Sequence, residues 1–184
     1  DITMSKNYPL HESKEDEINV KILLNGLTGG HSGAEIHKGL GNSNKILFDL
    51  IQKLNSDFDV KICSIDGGGL RNAIPRESSA IISFDEDNLN SFKKIMKNTS
   101  QTLVAEFKET DDNINLEFEL LENRFQTIGA IESKELINAI NECPNGVFEM
   151  SENIDGLVET SNNLANIRLI AVSYTHLTLP TKDG

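Results

Sequence analysis

The residues best suited to chemistry lie in one glycine-rich run, Gly26-Leu-Thr-Gly-Gly-His31-Ser-Gly-Ala-Glu35-Ile-His37. An imidazole flanked by glycines can meet a ligand closely, because no Cβ keeps the backbone at a distance. Ser32 followed by Glu35 has the spacing of a capping box, in which the serine hydroxyl takes a free N–H of the first turn and the glutamate reaches back to the serine N–H. This spacing predicts a helix beginning at Ser32. His31 would then sit just outside a helix N-terminus, where unpaired N–H groups favour an anionic or oxyanionic guest. A plainer reading stays open, in which Gly29-Gly30 only makes a turn and His31 is a solvated loop residue. His37, six residues on, matches no helical metal-pair spacing and reads as a packing or surface histidine.

A second stretch, Asp66-Gly-Gly-Gly-Leu-Arg71-Asn72-Ala-Ile-Pro75-Arg76-Glu77, combines glycines and a proline that force an irregular loop. Arg71, Asn72 and Arg76 on that loop offer planar donors to a carboxylate or amide. Equally open is a loop that merely joins two strands, with Asn72 bonding its own backbone. The acidic groups Glu15-Asp16-Glu17, Asp85-Glu86-Asp87 and Asp111-Asp112 read as solvated turns, and no Asp/Glu pair is placed as a catalytic dyad would be. Cys63 and Cys143 form no CxxC pair, so neither a disulfide framework nor a cysteine zinc site is indicated.

The elements that must carry these loops follow from hydrophobic period. Ile18, Val20, Ile22 and Leu24 alternate as a strand that stops at Asn25-Gly26. Ile36, Leu40, Leu47, Leu50, Ile51 and Leu54 recur at helical spacing, although Gly39 and Gly41 weaken the first turns. Residues 60–65 and 78–84 are β-prone and are expected to pair as a hairpin. Leu89, Phe92, Met96, Leu103 and Phe107 mark a second helix, and Ile114, Leu116, Phe118 and Leu120 a further strand. The order β-α-β-β-α-β predicts an α+β, ferredoxin-like fold over roughly residues 17–122: a four-stranded antiparallel sheet with two helices on one face. Residues 133–143 add an extra helix, stopped by Pro144-Asn145-Gly146. Residues 156–169 read as an extended segment without a partner in the domain. The exposed edge strand is one that could pair with a second copy.

Composition narrows the partners. The chain has 184 residues, with 17 Lys plus Arg against 29 Asp plus Glu, and its net charge of −12 leaves no basic field for nucleic acid or an anionic membrane. No apolar run exceeds four residues, so neither a membrane span nor a signal peptide is expected, and a cytoplasmic compartment fits best. The opening at Asp1 suggests a cut through a longer protein. The stretch from about residue 170 resembles a translated sequencing adaptor and is set aside, which discounts His176 as a ligand.

Four motifs together resemble the Xaa-His dipeptidases, also called aminoacylhistidine dipeptidases or bacterial carnosinases. They are Gly26-Leu-Thr-Gly-Gly-His-Ser-Gly-Ala-Glu-Ile-His-Lys-Gly-Leu-Gly-Asn-Ser-Asn-Lys45, Leu70-Arg-Asn-Ala-Ile-Pro-Arg-Glu77, Pro144-Asn-Gly-Val147 and Gly156-Leu-Val-Glu-Thr-Ser161, in that family's order. The resemblance implies a cytosolic metallopeptidase of two domains: a catalytic domain with two zinc ions, and an inserted lid that builds the homodimer. Residues 1–16 would end the first catalytic segment, 17–150 would form the lid, 151–169 would begin the second catalytic segment, and 170–184 would be a non-native tail. The metal ligands would lie outside this chain, which alone would be inactive. By position His31 matches a lid histidine that reaches the partner subunit's active site and donates to the oxyanion. Asn72 resembles a substrate-contacting asparagine, with Arg71 and Arg76 as carboxylate partners. His37 and Asn44 belong to the motif without an assigned chemistry. A tripeptidase, aminoacylase or deacetylase would share this lid. The competing reading is a self-standing ferredoxin-like module that dimerises or binds a small anion without catalysis.

Overall fold

A computed structural model describes residues 2–170. The expected non-native tail, with His176 in it, lies outside the described residues from 171 onward. In chain order the elements are β1 (Leu10–Glu12), β2 (Glu17–Asn25), β3 (Gly30–His31), α1 (Ser43–Asp57), β4 (Lys61–Gly68), β5 (Ala73–Ile74) and β6 (Ser78–Asp85). There follow α2 (Leu89–Glu106), β7 (Asn115–Leu121), β8 (Gln126–Ile128), α3 (Ala130–Glu142), β9 (Gly146–Met150), β10 (Val158–Asn162) and β11 (Asn166–Leu169).

The central sheet is antiparallel, in the order β11-β4-β6-β2-β7. Four of its strands, β4-β6-β2-β7, are those of the βαββαβ pattern, with β6 inserted between the two strands that α1 connects and β7 at one edge. The expected four-stranded sheet is present and is widened by β11. That strand corrects one expectation: residues 166–169 do have a partner, pairing with residues 65–68 of β4, and β10 forms a hairpin with β9. The sequence hides both pairings because Asn162, Asn163 and Asn166 break the alternation of apolar residues there. β1 pairs with β8, so strand pairing also joins residues 10–12 to residues 126–128.

Period two along β2 and β6 turns Val20, Ile22 and Leu24 and Ala80, Ile82 and Phe84 toward the helices, all of them buried. α1 answers with Leu47, Phe48, Leu50, Ile51 and Leu54, and α2 with Phe92 and Met96. Rings link the layers: Phe58, Phe84, Phe92 and Phe118 follow one another at centroid separations of 5.0–5.1 Å. Each such side chain contributes about 1.5–3 kcal/mol by leaving water. α3 packs on α1 and β4, and its Ser133 hydroxyl accepts the Ile62 N–H (2.9 Å) beside the bulge in β4.

Candidate functional site

The helix does not begin where the serine–glutamate spacing placed it. Residues 32–35 are turns, residues 36–38 a single 3₁₀ turn, and Gly39 ends that turn at φ +70, in the left-handed region that favours glycine. α1 starts at Ser43, with the Asn42 side chain as its cap. His31 therefore does not face the N-terminus of a long helix, and the anion argument built on that position falls. The box is shifted by one residue: Glu35 reaches back to the His31 N–H (2.9 Å) rather than to that of Ser32. The Ser32 N–H is already taken, since it donates to the Asn72 carbonyl (2.9 Å).

His31 is exposed, and its ring is oriented by its own loop. The Gly33 N–H donates to Nδ1 (3.1 Å), and the ring lies so close over Gly33 that a Cβ there would stand 3.2 Å from Cε1. With Nδ1 accepting, the proton of the neutral imidazole belongs on Nε2, which becomes the donor. Glu35, which fixes the His31 backbone, is itself held by Lys38 (2.7 Å). The Lys38 ammonium, with the His31 N–H, keeps the Glu35 carboxyl below the usual carboxylate range.

The second stretch meets the first. β3 and β5 form a two-stranded ribbon with Gly30 opposite Ile74 and His31 opposite Ala73. The backbone of Asn72 is thus one step from that of His31. Asn72 is exposed, and its amide has no partner among the described residues, so it does not bond its own backbone as the plainer reading had it. The Arg76 stem crosses Gly29, where a Cβ would stand 2.2 Å from Arg76 Cγ and where φ is +65; only glycine fits both demands. Arg71 is also exposed, in the turn before Asn72. His37 lies exposed on the 3₁₀ turn. The arrangement is a ribbon that presents one donor imidazole, one amide and two guanidinium side chains to solvent.

The family model for a peptidase dimerisation domain matches residues 22–111, which run from β2 through the ribbon to the turn after α2. This stretch of the chain is a peptidase dimerisation domain. Over 149 residues the chain is 36% identical to the cytosol non-specific dipeptidase of Escherichia coli, covering 81% of this chain and 31% of that protein. The crystal structure of the aminoacylhistidine dipeptidase of Vibrio alginolyticus superposes with a TM-score of 0.86 at 30% identity, covering 90% of this chain and 34% of that one. Both uphold the likeness to the Xaa-His dipeptidases that the motifs carry. The chain spans about a third of the length of these relatives.

Behind the ribbon, the dimerisation domain is tied to later parts of the chain by buried asparagines whose role the motifs alone did not reveal. Asn42 Oδ1 caps α1 by accepting the N–H groups of Asn44 (3.0 Å) and Lys45 (3.3 Å). Its Nδ2 donates to Asn145 Oδ1 (2.9 Å), Asn163 Oδ1 (3.1 Å) and the Leu164 carbonyl (3.3 Å). Asn163 in turn donates to the Ala73 carbonyl of the ribbon (2.8 Å). Asn44, given no chemistry by the sequence, is buried and donates to the carbonyls of Leu164 (3.0 Å) and Gly67 (3.4 Å). Its Oδ1 is pressed against Gly67, where a Cβ would come within 1.9 Å. The Lys45 ammonium caps the C-terminus of α3 through the carbonyls of Ile140, Asn141 and Cys143 (2.8–3.1 Å). The first, second and third motifs of the resemblance, together with the residues that follow the fourth, thus converge on one buried junction. Asp111 is a further correction: it is wholly buried and is no solvated turn.

Among the described residues no three His, Cys, Asp or Glu side chains come together as a metal site. No helix among them is long and apolar enough to cross a membrane.

Proposed function

We propose that this chain is the lid and dimerisation portion of a dinuclear zinc dipeptidase that hydrolyses Xaa-His or other short peptides in the cytoplasm, and that it works as a homodimer. Residues 17–150 form the lid in this reading, residues 1–16 lead into it, and residues 151–169 begin the return to the catalytic domain. The described residues do not fit a pair of zinc ions, so no step below runs through a metal.

His31 donates from Nε2 to the carbonyl oxygen of a peptide bound in the partner subunit's active site. The observation that supports this is the Gly33 N–H on Nδ1, which leaves the donor on the solvent side of an exposed ring. A donor fixed before the substrate arrives needs no reorganisation as negative charge grows on that oxygen, which is where such a bond stabilises most. Glu35 holds the backbone of His31, and pairing of Ser32 with Asn72 keeps the donor beside the residues assigned to substrate. Asn72 contacts the peptide, and Arg71 and Arg76 face its carboxylate, for which a planar guanidinium is the better partner than an ammonium. The alternative is a self-standing ferredoxin-like module that dimerises or binds a small anion through residues 29–33 without catalysis; the start of α1 at Ser43 takes away only the helix N-terminus that would have favoured the anion there.

The test is His31→Ala in the full-length protein. With folding and oligomeric state intact, kcat on a dipeptide should fall about 10²–10³-fold, the usual cost of an oxyanion donor. An unchanged kcat would refute the assignment.

A further inference from the structure

We infer that Asp111 is a positioning residue for His31, clamping both ends of the loop that carries the imidazole. The inference rests on the reading of His31 as the donor. Asp111 follows the end of α2, with its backbone fixed by its own N–H on the Phe107 carbonyl (2.8 Å) and by the Ile114 N–H on its carbonyl (3.1 Å). Its wholly buried carboxylate divides between two backbone groups far away in sequence. Oδ1 accepts the Thr28 N–H (2.8 Å) and Oδ2 accepts the Gly41 N–H (2.9 Å). Residues 29–40, with His31 among them, are the loop between those two anchors.

Neighbouring contacts make the clamp rigid. The Thr28 hydroxyl donates to the Thr110 carbonyl (2.7 Å). Gly26 lies so close to the 111–114 turn that a Cβ would stand 1.9 Å from the Asn113 carbonyl oxygen. Between the anchors the loop is held by short contacts: the pairing of β3 with β5, the Ser32 N–H on the Asn72 carbonyl, the Glu35 carboxylate on the His31 N–H, one 3₁₀ turn and the Glu35–Lys38 pair. A single carboxylate with two acceptor oxygens suits the task, because charge-assisted bonds to N–H groups are short and directional. Asparagine at 111 cannot replace it, since its NH2 group would meet one of the two N–H groups donor to donor. The clamp also joins the imidazole to α2 and β7, so a displacement of that edge of the sheet is passed to His31 through two hydrogen bonds.

The experiment uses the full-length protein and three variants, Asp111→Asn, His31→Ala and the double substitution. In Asp111→Asn, amide hydrogen exchange at Thr28 and Gly41 should accelerate at least about 10-fold while Ile22 and Ala80 in the sheet stay protected. kcat should fall about 10–100-fold, as small misplacements of a catalytic group do. On the His31→Ala background the same substitution should lower kcat no further, because a residue acting through the imidazole has nothing left to position. Unchanged exchange at Thr28 and Gly41 would overturn the clamp, whatever His31 proves to do. An equal loss of kcat with and without His31 would show that Asp111 acts through general stability instead. Should Asp111→Asn not fold, Asp111→Glu, which keeps the charge but carries both oxygens one methylene further from the Thr28 and Gly41 N–H groups, has the same two readouts. His31→Ala alone judges the donor reading separately.

Discussion

Asn42→Ala removes the hub of the buried junction, and its cost can be worked from the bonds it makes. The α1 cap goes, and with it the acceptor of the buried Asn44 N–H, at a cost of about 1–3 kcal/mol. Two of the three acceptors on Nδ2 keep another donor: the Leu164 carbonyl retains Asn44, and Asn145 Oδ1 retains the Leu164 N–H (2.9 Å). Asn163 Oδ1 does not. The expected total is about 2–4 kcal/mol. Asn42→Ser should cost less than alanine, because a serine hydroxyl still caps. Asn42→Asp should be worse than serine although aspartate is an excellent cap, since it turns a second oxygen toward Asn145 Oδ1, Asn163 Oδ1 and the Leu164 carbonyl. Urea unfolding at neutral pH measures all three, with the slope against urea checked for constancy. Alanine within about 0.5 kcal/mol of the parent, or aspartate no worse than serine, would show that the network does not fasten the domain.

Other outcomes follow from single contacts. Lys45→Met keeps the aliphatic stem but strips the ammonium from three carbonyls at the end of α3; it should cost about 1–2 kcal/mol and speed amide exchange in the last turn of that helix. Burial pushes the Glu17 carboxyl up, but Lys61, the Lys14 N–H and Ser83 outweigh it and leave it below its ordinary 4.5. A carboxyl lowered by folding stabilises above its unfolded value, and that contribution disappears as pH falls through the folded one. The urea midpoint should therefore drop from about pH 4.5 downward, and less steeply in Glu17→Gln. The Cys63 thiol is pushed up to about 12 by burial, with Glu17 adding and Lys61 opposing. Native chain at mildly alkaline pH should thus take up iodoacetamide at half-buried Cys143 and not at Cys63, whereas in urea both should react.

The βαββαβ layout was legible because β2, β6 and α2 carry their apolar residues at clean periods. The start of α1 was not. Ser32 and Glu35 have the spacing of a cap, but Gly39 in a left-handed conformation ends the short 3₁₀ turn, and the Asn42 side chain caps a new helix that begins only at Ser43. No such cue in sequence outranks a capping box, and Ser32 was drawn away by pairing with Asn72, a partner forty residues on. The same long-range pairing put His31 beside Asn72, which the motifs named separately and nothing local could join. Asp111 was missed for a related reason: an acidic pair before an asparagine reads as a surface turn, and only the fold brings Thr28 and Gly41 to it. The asparagine junction lay half in view, since Asn42, Asn44 and Asn145 sit within the motifs, while Asn163 lies two residues beyond the last of them.

The central claim is that His31 serves the reaction of the neighbouring subunit, and mixed dimers of the full-length protein test it most directly. One parent carries His31→Ala with its metal ligands intact; the other keeps His31 but lacks its metal ligands. If the imidazole acts across the interface, either variant alone is nearly inactive, yet mixing and reassociating them restores roughly a quarter of the parental activity, since half the dimers are mixed and each holds one complete site. Activity that stays at the level of the separate variants would contradict the account.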